Sequence, residues 1–365
     1  MTTGQEASAW FARGEGGAAA AGAQPAYLPD LRAWYRWHHA RRTLPAAWRD
    51  CSLAEIAAAL DVPAWQTVRP WSVETPGVEI ETQQGAGERV ISYHTSTGTL
   101  QERWSLGPDG DWWQMEYPVK TAEDLPAALA LIAARTYHLQ PGELAGAQEA
   151  IGPAGMVAAE LPMRPYSDVL HTLLGWAEGL MLFKSEGRPL LLEMLALLDD
   201  KLRALTEQVA ALPGAILFAP DNLDGHYISP RTFREHLAAS YRQTATTAHA
   251  QGKRLVVHAG GPVGRLLPLL AEAGVDAVDG VAGPPQGDTP LAEARVAAGP
   301  ELVLWGGIPQ DLLLGAHDEQ EFKQAVQAAA VAARADGRSI LGVADAVPVA
   351  ADVERLRALG DLLGG

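Results

Sequence analysis

The chain has 365 residues, of which 48% are hydrophobic, and its 28 Lys and Arg against 44 Asp and Glu give a formal net charge of −16. This length suffices for one large α/β domain with an elaborated N-terminal part. The acidic balance disfavours nucleic acid and anionic membrane surfaces as partners, because like charges repel. The single cysteine, Cys51, excludes an intrachain disulfide and a zinc site built from several thiolates.

The sequence also carries information about location. No apolar run is long enough to span a bilayer, and the first residues lack the basic start and apolar core of a secretory signal. We therefore expect a cytoplasmic protein. Residues 1–24 include a Gly/Ala-rich run from Gly14 to Ala23, and we expect them to form a flexible lead-in.

The predicted elements of residues 25–150 are helices and a β-meander. Leu28 to Leu60 has a helical pattern, within which Ser52 and Glu55 form a potential capping box. From Val68 to Pro118 the residues alternate with period two between glycine-containing turns, which indicates short antiparallel strands. A helix is predicted to follow, with Thr121 as its N-cap.

From residue 151 onward, strand and helix patterns alternate. The six strand patterns are MVAAELP, AILFAP, RLVVHA, DAVDGV, LVLWGG and SILGVA, each followed by a helical stretch. Such alternation predicts a parallel sheet. With one or two further units hidden in the N-terminal half, it predicts a (β/α)8 TIM barrel with an N-terminal helical and β-meander extension, in which residues 25–150 and 151–365 share one domain. An open doubly wound sheet is the alternative, although no GxGxxG follows the first strand.

Polar residues follow several of these strands, at the end where parallel barrels place their chemistry. His258 is a candidate general acid or base or a metal ligand, and a structural histidine is the alternative. Asp221 and Glu160 are candidate proton-transfer groups, which could instead be a turn residue and a solvated rim carboxylate. Asp345 is a candidate ligand partner of His258, or a turn residue before Val-Pro.

Further strand-end residues are candidates for substrate binding. Arg164 could clamp a substrate carboxylate or pair with Glu160, and Trp305 could form a pocket wall, although core packing is the commoner fate of such a residue. Tyr227 could donate a hydrogen bond or simply pack in its loop. The full substrate-binding set is Asn222, Tyr227, Arg164, Asp279 and Trp305.

Several segments in order resemble the uroporphyrinogen decarboxylase superfamily, and within it the branch of cobalamin-dependent methyltransferases. The resemblance covers about residues 90 to 360. It is carried by STGTLQERW, EYPVKTAEDLPAAL, DNLDGHYISPRTFREHLAASYRQ, GKRLVVHAGGPVGRLLPLLAEAGVDAVD, LVLWGGIPQDLL and ILGVADAVPVAADVERLRAL.

The resemblance implies a site, but this chain departs from the pattern. Zinc-bearing members of the branch take their ligands from His-x-Cys and a later Cys. Here His258 matches the histidine, whereas Gly260 and Asp345 stand at the two cysteine positions. The sequence fixes no cofactor. What remains open is zinc on His258 and Asp345, because zinc accepts imidazole and carboxylate, and a cobalamin carried by a partner protein.

Three functions follow as hypotheses. The preferred one is an enzyme that moves a methyl group between a small-molecule substrate and a corrinoid protein. The second is decarboxylation of a tetrapyrrole, for which the family's arginine-rich loop has only an echo in AYLPDLR. The third is a non-catalytic module that binds a corrinoid or another ligand. A homodimer is left open.

Overall fold

A computed structural model of the protein describes residues 7–11, 26–107 and 110–364. Within these residues, no helix combines the length and the apolar character needed to cross a membrane. Numbered in chain order, the strands are β1 (Ala26–Tyr27), β2 (Ala64–Val68), β3 (Trp71–Glu74), β4 (Glu79–Gly85), β5 (Glu88–Thr95), β6 (Gly98–Leu106), β7 (Trp112–Glu116), β8 (Thr136–Leu139), β9 (Gly155–Glu160), β10 (Ile216–Leu223), β11 (Arg254–Ala259), β12 (Ala277–Val281), β13 (Val303–Ile308) and β14 (Ser339–Val343).

The α-helices are α1 (Arg32–Arg41), α2 (Leu53–Ala59), α3 (Leu125–Ala134), α4 (Pro141–Ile151), α5 (Pro165–Asp168), α6 (Trp176–Leu182), α7 (Arg188–Ala210), α8 (Pro230–His236), α9 (Ala238–Ala250), α10 (Leu267–Glu272), α11 (Leu291–Ala298), α12 (Glu319–Asp336) and α13 (Val353–Gly364). A π-helical stretch covers Val169–Leu174. Short 3₁₀ helices cover Ala9–Phe11, Ala46–Trp48, Ala122–Asp124 and Gln310–Leu313.

Eight parallel strands form one sheet in the order β1-β14-β13-β12-β11-β10-β9-β2. The sheet is curled, because residues from near the two ends of this order touch. Trp65 of β2 packs edge-on against Trp305 of β13 with ring centroids 5.1 Å apart. The predicted TIM-barrel-like (β/α)8 fold is therefore confirmed, and β1 and β2 are the two units that the helical pattern of the N-terminal half had concealed.

The inside of the curled sheet is the hydrophobic core. Alternate residues of each strand point inward, as the pleat of a β-strand requires. The core cluster comprises Ala7, Phe11, Ala26, Leu28, Trp65, Met156, Ala158, Ile216, Phe218, Val256, Ala277, Val303, Trp305 and Ile340.

The N-terminal segment Ala7–Phe11 (hereafter the N-terminal plug) contributes to this core. Phe11 is fully buried, and its ring lies 5.8 Å from Trp65 and 5.6 Å from Trp305. The prediction of a flexible lead-in over residues 1–24 therefore does not hold for these residues, because aromatic contacts inside the sheet fix them. The rest of that segment lies outside the described residues.

The chain divides into two compact units. Unit 1 comprises residues 1–70, 141–161 and 209–365 and contains the parallel sheet. Unit 2 comprises residues 71–140 and 162–208, and contains the predicted meander β4-β5-β6-β7 and the β3-β8 pair. The predicted capping box of Ser52 with Glu55 is present before α2. Thr121, the predicted N-cap, forms a capping box with Asp124 before α3.

Candidate active site

The candidate site lies in unit 1, at the carboxyl end of the parallel strands (hereafter the mouth). His258 on β11 and Asp279 on β12 are in register with Trp305 on β13, so all three occupy one layer of the inner face. Below them the aromatic side chains of the core close the sheet interior. The imidazole of His258 stacks on Phe218, with ring centroids 6.3 Å apart.

His258 is held between two carboxylates. Its Nδ1 is 2.9 Å from Asp279 Oδ2 and its Nε2 is 3.4 Å from Asp345 Oδ1. The Asp279 side chain is only 2% exposed, that of His258 is 17% exposed, and that of Asp345 is 40% exposed. This line of side chains therefore runs from the interior to solvent, and Asp279 fixes the orientation of the imidazole.

The surroundings raise the pKa of all three groups in this line. Burial of the imidazole opposes its charged form, but the hydrogen bond and charge of Asp279, with the charge of Asp345, outweigh burial and raise the pKa of His258. Burial also raises the pKa of Asp279 to about 6, although the hydrogen bond and the charge of His258 act in the opposite direction. Burial likewise raises the pKa of Asp345, and His258 opposes that shift. The charged form of the imidazole is therefore more favoured than in a free histidine.

An ion pair between a half-buried arginine and a buried carboxylate lies beside this line. After β1, Asp30 accepts hydrogen bonds from Arg32 through both oxygens, at 2.9 and 3.0 Å from Nε. The guanidinium lies over the rings of Trp65 and Phe218, at 6.0 and 5.9 Å from their centroids, and Nη1 donates to Thr67 Oγ1 of β2. Arg32 thus connects β1 to β2, the two end strands of the sheet order.

Glu160, at the end of β9, completes the polar layer. Its Oε2 accepts a hydrogen bond from Thr67 Oγ1 at 3.1 Å, and its Oε1 lies 2.6 Å from Arg69 Nε. The carboxylate is thus paired with the cation of Arg69, and its pairing with Arg164 stays a prediction.

The structure brings together three of the predicted site residues, because His258 contacts both Asp279 and Asp345. Glu160 is connected to the same layer through Thr67 and Arg32. Their roles in catalysis and binding stay predictions.

The remaining predicted residues are not part of this line of side chains. Asp221 is fully buried and accepts a hydrogen bond from Tyr241 of α9, so its carboxylate is sealed from any substrate. Trp305 is a core residue whose Nε1 donates to Leu28 O at 2.8 Å. Arg164, in unit 2, is buried and donates from Nη2 to Pro162 O at 2.6 Å. Tyr227 is exposed on the loop after β10.

Asn222 has a different relation to the site. Its backbone is left-handed, with φ of 49°, a conformation that asparagine tolerates better than most residues. Its carboxamide covers Gly260, because a Cβ built on Gly260 would lie 1.6 Å from Asn222 Oδ1. The side chain at 222 therefore occupies the space into which a side chain at 260 would project.

This arrangement does not fit the zinc ligand set that the resemblance implies. The space next to position 260 is filled by a carboxamide rather than open to a thiolate. Within the described residues, no group of three His, Cys, Asp or Glu side chains is arranged to hold a metal ion. Zinc on His258 and Asp345 therefore stays a prediction, and no step below depends on it.

Sequence reasoning missed Asp30, Arg32 and Thr67. A signal was present in AYLPDLR, the echo of the family's arginine-rich loop, which contains both Asp30 and Arg32. The helical pattern that follows concealed the short strand at its start. A cleft of about 610 Å³ lies at the opposite end of unit 1, where β9 and β11 begin. It is lined by residues including Ser8, Gln148, Gly155 and Arg254.

Part of the chain matches a known protein family. Residues 190–363 match the family uroporphyrinogen decarboxylase (URO-D). This stretch is similar to a URO-D domain. The predicted resemblance is thereby confirmed, and the matched URO-D region contains His258, Asp279 and Asp345. No curated protein matches the chain.

Solved structures show the extent of the shared fold. A methyltransferase from Methanosarcina mazei is 14% identical, with 99% of this chain and 98% of that chain covered and a TM-score of 0.57. A D-psicose 3-epimerase is 11% identical, with 68% of this chain and 94% of that chain covered and a TM-score of 0.38. The full-length likeness to the former establishes the fold that the URO-D match covers only in part.

Proposed function

We propose that this URO-D-superfamily protein is an enzyme that transfers a methyl group from a small substrate to a corrinoid carried by a separate protein. The observation that supports it most directly is the Asp279–His258–Asp345 line at the mouth. It provides an imidazole that is oriented by a buried carboxylate, open to solvent and disposed to carry a proton. The full-length likeness to a methyltransferase is consistent with this proposal.

In the proposed reaction, the bond between the methyl carbon and its oxygen, nitrogen or sulfur breaks, and the electron pair stays on that heteroatom. The corrinoid, when its carrier docks over the mouth, would accept the methyl group. His258 would donate the proton from Nε2 to the departing heteroatom, while Asp279 holds Nδ1. The stacked Phe218 below the imidazole limits its movement.

The arginines of the mouth argue against a tetrapyrrole that bears many carboxylates. Arg32 is engaged by Asp30, and Arg69 by Glu160. Asp279 and Asp345 add further negative charge beside His258. A polyanionic substrate would therefore lack unpaired charge partners at this layer, so we place decarboxylation second.

Methyl transfer can be tested with free cobalamin in its Co(I) state as the acceptor. We would offer a panel of methoxy, methylthio and methylamino compounds and follow the corrinoid spectrum. We expect at least one donor to react, and His258→Ala to slow the reaction by about 10²–10⁴-fold, the range typical of a lost general acid. Asp50→Asn, a change at an exposed carboxylate, is the matched control.

The pH profile gives a second readout. Because His258 must be protonated, the rate should fall as pH rises through the raised pKa of His258. Asp345→Asn removes a charge that raises this pKa, so the fall should move to lower pH. Conversion of uroporphyrinogen to decarboxylated products without any methyl transfer would contradict the proposal, as would corrinoid binding without turnover of any donor.

A further inference from the structure

The cleft at the amino ends of the strands, opposite the mouth, has the size of a small-molecule site. Its volume of about 610 Å³ falls within the range of about 300–1,000 Å³ that is usual for pockets that bind small ligands. All of its described lining residues belong to unit 1. The reaction proposed at the mouth makes no use of this cleft.

Arg254, the first residue of β11, extends into the cleft from the inner face of the sheet. It is in register with Ile216 of β10 and lies two residues before Val256, and both of these belong to the core. Since alternate residues of a strand share a face, the side chain of Arg254 points inward as well. It lines the cleft directly below the last core layer.

The guanidinium of Arg254 makes no hydrogen bond or ion pair with any described residue. The side chain is half-buried, so solvent still reaches it. Asp276 feels its charge, but Oδ2 of this buried carboxylate already accepts hydrogen bonds from Leu255 N at 2.7 Å and lies 2.8 Å from His249 Nε2. Because a guanidinium stays charged at every pH at which proteins fold, the cleft keeps an unused positive charge.

The charge at the edge of the cleft has the same sign. Lys253 donates from Nζ to the carbonyl oxygens of Leu212 and Gly214, and Gly214 is a lining residue. Among the described residues that line the cleft, Arg254 is the only charged one. In a chain with a formal net charge of −16, such a place is a local exception that favours an anion.

The remaining lining is mostly apolar. Its uncharged polar side chains are those of Ser8 in the N-terminal plug and Gln148 of α4. The apolar side chains (hereafter the apolar wall) are Ala9, Pro153, Met156, Val157 and Ala215. A small inorganic anion would leave this wall in contact with water, whereas an anion with an apolar part would cover it.

We propose that the cleft binds a monocarboxylate with an apolar body, whose carboxylate pairs with Arg254 and whose body lies against the apolar wall. The planar guanidinium matches the two oxygens of a carboxylate, and one lining cation matches one negative charge. The inference goes beyond methyl transfer at the mouth and does not rest on it.

Four small probes separate the contributions of the charge and of the apolar body. They are 4-phenylbutyrate, 4-phenylbutyramide, 4-phenylbutylammonium and acetate. Calorimetry or ligand-observed NMR with the full chain at about pH 7.5 would give their affinities. We expect 4-phenylbutyrate to bind most tightly, about tenfold or more above the neutral amide, as for hydrogen bonds between charged groups. The ammonium probe and acetate should bind most weakly.

Two arginine variants test the residue. Arg254→Gln retains polar donors but removes the cation, so it should abolish the preference for 4-phenylbutyrate over 4-phenylbutyramide. Arg231→Gln makes the same change at an exposed position of α8 outside the cleft, and it should leave the preference unchanged.

A third variant covers the case in which Arg254→Gln does not fold. Gln148→Glu adds a carboxylate to the lining at an exposed position of α4, where the fold should tolerate it. The added negative charge should also remove the preference for the anionic probe. In addition, 4-phenylbutyrate should raise the melting temperature of the wild type by mass action, and that of Arg254→Gln much less.

Several results would overturn the inference: equal affinity for 4-phenylbutyrate and its amide, tightest binding of the ammonium probe, a preference that survives both Arg254→Gln and Gln148→Glu, or no binding of any probe. Acetate binding as tightly as 4-phenylbutyrate would also contradict it, because the apolar wall would then contribute nothing. None of these results bears on the cobalamin assay, and a failure of methyl transfer would not affect binding in this cleft.

Discussion

Gly260 and Asn222 show how a single pair of residues shapes the mouth. Glycine at 260 leaves room for a carboxamide, and the left-handed backbone at 222 directs the carboxamide into that room. The sequence alone showed only that a family cysteine was missing at this position. The structure adds that the vacated volume is filled by a polar group from the neighbouring strand β10.

This pair allows a stability test. We expect Gly260→Ala to lower the free energy of unfolding by about 1 kcal/mol, the low end of the cost of overpacking, because the new Cβ displaces Asn222 Oδ1 but the exposed carboxamide can turn away. In an Asn222→Gly background, which retains the left-handed backbone and removes the carboxamide, the same change should cost much less. Urea denaturation of the four proteins forms the double-mutant cycle.

An equal cost of Gly260→Ala in both backgrounds would mean that something other than the carboxamide limits the volume. The Asn222→Gly variant alone serves as the control, since it reports the contribution of the Asn222 side chain without any change at 260.

Strand-end reasoning found the site residues only in part, and the reason is geometric. His258, Asp279 and Asp345 were predicted from their positions after apolar runs, and they meet in the structure. Asp221 follows an apolar run equally well, but it is an odd number of residues from the inward-facing Phe218 and points toward Tyr241 of α9. The sequence showed that each of these residues lies at the end of a strand. It did not show which face of the strand the residue occupies, because that depends on which residues form the core.

Among the elements, the N-terminal plug is the one that composition concealed. A Gly/Ala-rich neighbourhood indicated a loose segment, yet Phe11 packs against Trp65 and Trp305. Trp65 in turn contacts Phe218, and Phe218 stacks on His258. A continuous series of aromatic contacts thus runs from the plug to the imidazole of the candidate site.

Removal of this ring should be costly. We expect Phe11→Ala to lower the free energy of unfolding by about 3–5 kcal/mol, as for other large-to-small changes in a core. Guanidinium denaturation would measure it. Val296→Ala, at an exposed position of α11, should change stability by less than about 0.5 kcal/mol and is the matched control.

A cost for Phe11→Ala no larger than that of the control would show that the plug does not hold its place in solution.

The C-terminal strands were easier to predict from the sequence than the plug. All six C-terminal strands were predicted, because long apolar runs alternate there with helices. By contrast, β1 has two residues and lies directly before a helical pattern, so periodicity could not reveal it.

On the scale of the whole molecule, the fold class was predictable but the grouping of its parts was not. Alternating strand and helix patterns imply a barrel whatever the detailed contacts are. The assignment of residues 162–208 to the same unit as the meander depends on contacts between segments that are distant in sequence. An example is the ion pair between Arg135 and Asp168, with 2.5 Å between Nη1 and Oδ2.

The excess of acidic residues acts on the molecule as a whole. With a formal net charge of −16, self-repulsion disfavours the compact state, and added salt screens it. We expect the melting temperature to rise when sodium chloride is increased from about 10 mM to about 150 mM, where the Debye length shortens to about 8 Å. Differential scanning calorimetry would measure the shift, with sucrose at equal osmolality as the uncharged control. A falling or constant melting temperature would indicate that internal ion pairs dominate instead.

The pairing of β1 with β14 has a consequence for biosynthesis. Ala26 and Ile340 are neighbours in the ladder although they stand far apart in sequence. A nascent chain therefore exposes unsatisfied backbone on β1 until β14 has been translated. A premature stop before β14 would remove the partner of β1 together with α13, and we expect the product to be a target of chaperones and proteases rather than a shortened enzyme.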